Sequence, residues 1–520
     1  MSTPHVFVTM GNLLNVRCDA WLLPTDSSLT FNPYWTTAMP HLVELVAAQD
    51  MSSVEAGMQL AVALDDWPVE DPLPVLTTVP LHGVRDPEEL RPRFRNFFDE
   101  SVRALKHRSL LDRPFPLLAV PFFGTGLGAG NIYRGDILRV LLSEAHEAAR
   151  ALLVDVVFVF QDQAAYALAQ QQRKEFTVQS WENLSPRLQD LVHALANRAA
   201  QGHVVPFMGA GVSVSAGAPD WQGLLNIVMS KGQLPEGLHE SLKNLPVLDQ
   251  AGIIKSLYES DPTRQKSFGE LVAEAVDVDR YGLAPALLAA LPTDAAITLN
   301  YDRLFELAAS DAGSPRTVIP DDISANTGRW LLKLHGSVTN LGSIVLTRED
   351  YLGYNTNRDA LSSMVKAHLL THHLLFVGFG LTDTHFHEII FDVRRAIPLD
   401  QQKHFGTVLT LSYDEMQNKI WNGQLDIVPM SEAGEALSIP EAAHRLEIFL
   451  DMLAACSSDS HAFFLAPHYS GGMSADDLKL RNQLLDLAEA NKGQIGQAAW
   501  QVLEVSLKAM GWDPHHPYTR

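Results

Sequence analysis

The sequence predicts an α/β protein with an open parallel sheet in its central part and a second α/β domain before it. Three observations predict this. Short apolar runs alternate with stretches of three- and four-residue apolar spacing, the pattern of strands joined by crossover helices. The central runs are apolar on both sides, as strands covered on both faces are. A glycine-rich turn directly follows the first central run and opens a helical pattern.

Taken in order, residues 6–8, 20–23, 117–120 and 156–160 read as buried strands, and 137–153 as a helix. The polar run 170–179 reads as a linker. A lead helix over 186–200 opens the central segment. Strands are expected at 204–207, 296–299, 331–334, 374–377, 408–411 and 426–428. Residues 222–292 read as mostly helical, an insertion over the sheet. Beyond 456, Ser474 with Asp477 forms an N-cap signal before a helix over 478–490, and another helix is expected at 495–509. The expected division is 1–175, 180–455 and a helical tail, 456–520.

Bulk composition narrows the function. A chain of 520 residues exceeds one ordinary core, and 46% hydrophobic with 19% charged residues is globular rather than disordered. Lys+Arg 39 against Asp+Glu 61 leaves a net charge of −22. Nucleic-acid binders neutralise phosphates with basic surfaces. Only the pair Arg394-Arg395 stands out here, so no broad nucleic-acid surface is expected. No run approaches the roughly 18 apolar residues of a membrane span. The start, MSTPHVFVTMGN, lacks a signal-peptide pattern, so a cytoplasmic location is expected. Two cysteines, Cys18 and Cys456, make no disulfide framework and cannot form a four-thiolate zinc site.

The chemistry-bearing motifs follow the central strands. Gly209-Ala210-Gly211-Val212-Ser213 comes after the first, then Gly217-Ala218-Pro219-Asp220-Trp221. Glycines there let backbone approach a pyrophosphate, with a helix start supplying N–H groups. Thr298-Leu299-Asn300-Tyr301-Asp302, Leu334-His335-Gly336 and Val377-Gly378-Phe379-Gly380-Leu381-Thr382-Asp383 follow later strands. Each has a plainer reading alone. The glycines could form a tight turn, Asn300 and Asp302 could be turn residues, and His335 a satisfied core histidine. Ligands of an open parallel sheet bind beyond the strands' carboxyl ends, so four such loops are expected to share one crevice.

Together, in this order, the motifs resemble those of sirtuins: GAGxSxxxGxPD(F/W), T-x-N-x-D, the catalytic histidine before glycine, and a late Gly-rich nucleotide loop. Residues 344–351 are similar to a stretch of bacterial sirtuin-like proteins. The resemblance spans roughly 200–430 and implies a Rossmann-like sheet. The four zinc-binding cysteines of protein-deacylating sirtuins are absent, so the resemblance is to zinc-less bacterial members, several of which act against phage. It implies cleavage of NAD, as substrate, to ADP-ribose and nicotinamide. Asn300 and His335 would be catalytic, the amide holding a water or the ribose and the imidazole serving as base. Gly209, Ala210, Gly211, Ser213, Pro219, Asp220, Asp302, Gly378, Gly380 and Asp383 would bind the dinucleotide. His372, His373, His385 and His387 with Asp383 match no metal-site spacing, and no metal is expected.

The first segment resembles a diverged macro domain, a module that binds ADP-ribose. Gly11-Asn12-Leu13 with residues 18–26 and the loop Pro121-Phe122-Phe123-Gly124-Thr125-Gly126-Leu127-Gly128 carry the likeness. It implies a second nucleotide site at Asn12, Gly124, Thr125 and Gly126. Asn12 stands where that family reads adenine with Asp, and residues 27–31 replace an expected Gly-rich loop. The alternative is a scaffold with a structural GTG turn. The resemblances imply a regulated NAD glycohydrolase, with homo-oligomerisation, a motor ATPase or a phage-derived trigger as expected partners. Transfer of ADP-ribose to a macromolecule, or non-enzymatic sensing of NAD metabolites, are the alternatives.

Overall fold

The computed structural model describes residues 2–108, 110–126, 130–175, 180–235, 237–323, 328–398, 404–432, 434–459, 461–471, 473–491 and 498–516. Contacts divide the chain into two units, Met1–Gln189 with Asp451–Arg520, and Asp190–Leu450.

In the first unit, six strands form one sheet among the described residues: β1 (Val6–Met10), β2 (Ala20–Thr25), β3 (Ala61–Ala63), β4 (Leu73–Thr78), β5 (Leu117–Pro121) and β6 (Asp155–Phe160). Their order is β1-β6-β5-β2-β4-β3, parallel except for the β3–β4 pair. The four expected strands are present. The sequence reading missed β3 and β4. Pro74, which lacks an N–H, interrupts the strand signature of β4. The expected helix spans Arg134–Leu152.

The expected linker is corrected in part. A helix, Gln163–Glu175, occupies its first half, while 176–179 lie outside the described residues. Polar composition concealed an internal ion pair. Arg173 is 1% exposed and pairs with Asp451, which has no exposure. Asp451 also accepts from the Trp181 indole N–H at 3.2 Å and the Val8 amide at 3.2 Å, and meets His5 Nε2 at 2.8 Å. A buried charge survives only with such partners. The late helices, Ala475–Asn491 and Ala498–Ala509, share an apolar cluster built from Leu465, Leu485, Ala488, Trp500, Leu507 and Trp512.

The second unit is built on seven strands: β7 (Val204–Met208), β8 (Ala295–Thr298), β9 (Thr317–Ile319), β10 (Trp330–Lys333), β11 (His373–Val377), β12 (Gly406–Thr410) and β13 (Leu425–Pro429). Their order is β13-β12-β11-β7-β8-β10-β9, and every neighbouring pair is parallel. All six expected strands are there; the three-residue edge strand β9 is additional. The chain moves from β7 outward through β8, then returns to the other side of β7 at β11. The connections onward from β7 and β11 therefore run to opposite sides, a switch point of the kind at which a crevice forms at the carboxyl end of a sheet.

Phe207, Phe376, Phe379 and Phe386 pack directly beneath that point, with the Phe207 and Phe376 rings 4.9 Å apart. The helical insertion is also present, from Trp221–Lys231 to Leu283–Ala289. Its own core includes Leu225, Val228, Ile254 and Val272, and takes in Tyr301 and Leu346 from the sheet's loops. Among the described residues, no helix is long and apolar enough to cross a membrane.

Candidate active site

The loops after β7, β8, β10 and β11 line one crevice of about 740 Å³ in the second unit. It brings together all twelve residues expected there: Gly209, Ala210, Gly211, Ser213, Pro219, Asp220, Asn300, Asp302, His335, Gly378, Gly380 and Asp383. The lining also takes in Pro246, Val247 and Leu248 of the helical insertion, and Arg348 and Tyr351.

The glycines are needed where two loops meet backbone to backbone. The amides of Gly209 and Gly211 donate to the carbonyls of Val377 and Gly378, each at 3.0 Å. A Cβ on Gly209 would lie 2.4 Å from the Gly378 carbonyl oxygen. Gly378 has φ +63, and its Cβ would lie 2.4 Å from the Val212 amide nitrogen. Side chains are excluded at this junction by sterics alone. Asp220 caps the helix Trp221–Lys231, accepting from the Gly223 amide at 2.7 Å. Asp383 caps Thr384–Ala396 in the same way, through the Phe386 amide at 2.8 Å.

A hydrogen-bond chain orients Asn300. Ser213 Oγ donates to Asp302 Oδ2 at 2.8 Å, because a carboxylate can only accept. Ser213 Oγ must then accept from Asn300, so the amide nitrogen Nδ2 is the atom 3.1 Å away. This fixes which end of the amide is which. The Asn300 amide oxygen takes no hydrogen bond among the described residues. Asp302 Oδ1 accepts from the Leu304 amide at 3.0 Å, so both its oxygens are engaged.

Beneath this loop sits Lys333, fully buried at the end of β10. Its ammonium donates to the carbonyls of Tyr301 and Asp302 and to Glu306 at 2.6 Å. Burial raises the pKa of Glu306, and Lys333 offsets only part of that rise.

His335 is 2% exposed, and its Nε2 has no hydrogen-bond partner among the described residues. The nearest carboxylate oxygen, Asp383 Oδ2, lies 3.6 Å away, beyond hydrogen-bond range. Burial holds the imidazole pKa below its usual 6.5, Asp383 opposes this and Arg358 adds to it. The ring is neutral at neutral pH, so Nε2 or Nδ1 offers a lone pair. Tyr351 sets an edge against the ring at 5.3 Å and donates to Asp383 Oδ2 at 2.7 Å. Tyr354 and Arg358 each donate to the Leu334 carbonyl at 3.0 Å, and Arg358 also reaches the Ser343 carbonyl. Together they tie down the turn that carries His335. Gly336, with φ +91, completes that turn.

Sequence reasoning missed Lys333, Arg348, Tyr354 and Arg358. For Lys333 there was a signal, a lone cation inside the apolar run Leu331-Leu332-Lys333-Leu334. Of the histidines weighed for a metal, His385 is the one whose ring nitrogen, among the described residues, groups with the Asp383 carboxylate. With His335 these form a trio whose potential ligand atoms lie within 4.8 Å of one another. His387 instead meets the Leu381 carbonyl at 2.7 Å, and His373 meets Thr407 at 2.9 Å.

In the first unit, Asn12 caps a short turn. Its Oδ1 accepts from the Leu14 amide at 3.2 Å and from Tyr34 Oη at 2.8 Å. Gly124 has φ +85 and its carbonyl accepts from the Gly130 amide at 3.1 Å. Thr125 is buried and Gly126 exposed, while Leu127 and Gly128 lie outside the described residues.

Residues 294–425 match the SIR2-like domain family. That span holds Asn300, Asp302, His335, Gly378, Gly380 and Asp383. The chain is 28% identical over 228 residues to the NAD(+) hydrolase ThsA of Enterococcus faecium, covering 41% of this chain and 45% of that protein. It is 27% identical over 225 residues to Defense-associated sirtuin 2 of Bacillus subtilis, covering 40% of this chain and 21% of that protein. The chain spans less than half the length of these relatives. Among solved structures, an Oceanobacillus iheyensis macrodomain with MES bound is similar at 14% identity and a TM-score of 0.26, covering 33% of this chain and 90% of that one. Residues 294–425 of the second unit thus carry a SIR2-like domain, and the chain is similar to NAD(+) hydrolase ThsA proteins and to a defense-associated sirtuin.

Proposed function

We propose that the chain is an NAD glycohydrolase that cleaves NAD to ADP-ribose and nicotinamide, with residues 180–455 as its catalytic domain. The observation that carries this reading is the meeting of Asn300 and His335 in one crevice with the Gly209 and Gly378 loops. The reaction needs little else. The cationic nicotinamide ring takes the bonding pair and leaves the ribose as a neutral group, and the ribose passes through an oxocarbenium-like state. The open amide oxygen of Asn300 suits a ribose hydroxyl or the attacking water. The neutral His335 suits the removal of a proton from either. The walls supply orientation, which is worth much of such a barrier. The roles of Gly209, Ala210, Gly211, Ser213, Pro219, Asp220, Asp302, Gly378, Gly380 and Asp383 are to shape and line the dinucleotide site.

The relatives' names support a place in antiphage defence by NAD depletion. An unrestrained enzyme of this kind would empty its own cell of NAD. Control by homo-oligomerisation, a motor ATPase or a phage-derived trigger, in the cytoplasm, is part of the proposal. The test is nicotinamide release from NAD by the full chain, alone and with candidate triggers. Asn300→Ala and His335→Ala are expected to abolish it. Full turnover in both variants would overturn the assignment. Label ending in a macromolecule rather than in free ADP-ribose would make the chain a transferase.

A further inference from the structure

The crevice presents an electrostatic problem. Its lining includes three carboxylates, Asp220, Asp302 and Asp383, and among the described residues a single Lys or Arg, Arg348. A dinucleotide brings two more negative charges on its diphosphate. The amides of Gly209 and Gly211, which a phosphate would otherwise use, already donate to the carbonyls of Val377 and Gly378. One cation faces the whole burden.

Arg348 is not free in this structure. It opens the helix Arg348–Thr371, and its guanidinium forms a two-pronged pair with Asp249, Nε to Oδ1 and Nη2 to Oδ2 at 2.8 Å. Asp249 belongs to the helix Val247–Glu259 of the insertion, whose first residues line the same crevice. The Arg348 side chain is 49% exposed and that of Asp249 35%. Water and salt screen a pair that open, so the guanidinium exchanges partners readily. Its planar fork fits phosphate oxygens as well as a carboxylate.

Resting on the hydrolase reading above, we infer that Arg348 is the diphosphate-binding cation of the crevice and that Asp249 competes with the ligand for it. The ligand class is a nucleoside diphosphate joined to a second ribose. Free enzyme holds the guanidinium on Asp249, and binding transfers it to the phosphates. Asp249 therefore lowers affinity in the resting chain.

Calorimetric titration of the full chain tests this with two probes, ADP-ribose, which carries the diphosphate, and adenosine, which does not. Arg348→Ala is expected to weaken ADP-ribose by about ten- to a hundredfold, the scale of a lost charged hydrogen bond, and to leave adenosine unchanged. Arg348→Lys should keep part of the affinity. Asp249→Asn breaks the same pair while leaving the arginine in place, and is expected to tighten ADP-ribose several-fold. A mere strut between the two helices would make Arg348→Ala and Asp249→Asn weaken binding alike, which would overturn the inference. Unchanged ADP-ribose affinity in Arg348→Ala would overturn it while leaving the hydrolase reading intact, provided wild type releases nicotinamide. Wild type that neither binds ADP-ribose nor releases nicotinamide would overturn both.

Discussion

His335 shows how burial prepares a side chain for use. Dehydration penalises the imidazolium more than the Asp383 carboxylate favours it, so the ring stays neutral at pH values where an exposed histidine is charged. The acid limb of kcat/KM for nicotinamide release should therefore fall below pH 6.5. A limb at or above that value would rule out this imidazole as the base. Ser213 is a positioning residue, since it touches Asn300 and Asp302 rather than a reacting atom. Ser213→Ala should lower kcat with little change in KM, and cost about 1 kcal/mol of stability. Equal losses in kcat and affinity would point to a direct substrate contact instead. Asn300 and His335 were legible because each directly follows an apolar strand. Lys333 and Arg358 were not assigned. Their partners, backbone carbonyls and for Lys333 also Glu306, lie far along the chain, and no local pattern encodes them.

At the scale of elements, most strands were visible as apolar runs. Those missed were short or interrupted: β3 and β9 have three residues each, and β4 contains Pro74. The helix Gln163–Glu175 was hidden for a different reason. Its polar letters include a guanidinium that faces inward onto Asp451. Removing one member of such a pair strands the other, so Asp451→Ala should cost about 3–5 kcal/mol. Denaturant unfolding of the first unit's transition would measure it. The double change Asp451→Leu with Arg173→Leu should recover much of the loss, because it leaves no orphaned charge. Failure of the double variant to recover would place the cost in the contacts that Asp451 also makes with Trp181, Val8 and His5. Where the loops after β7 and β11 touch, sequence reading saw the glycines but credited them to phosphate. Contact between the loops is what the backbone geometry requires of them.

For the whole molecule, acid should weaken both units. Burial pushes His146 in the first and His385 in the second down to about 4, against an ordinary 6.5. Between those values the unfolded chain binds protons that the folded chain refuses. Stability fully present above pH 6.5 is then lost as pH falls toward 4. Asp19 and Glu306, raised by burial, work in the opposite sense, since they retain protons in the folded state. Scanning calorimetry from pH 7 to 4 should show falling transition temperatures, and His385→Asn should flatten the fall in the second unit. Length and composition announced more than one core. They did not reveal that residues 451–520 group with 1–189, because a return of the chain leaves no local mark.

The junction of Gly209 and Gly211 with Gly378 has a consequence for dissection of this protein. One wall of the crevice is a seam, stitched from two stretches that translation produces far apart. A fragment ending before residue 377 contains only one side of it, however well its own strands form. Such truncations should fall silent together, and a library of shortened chains should show an abrupt step there rather than a gradual decline.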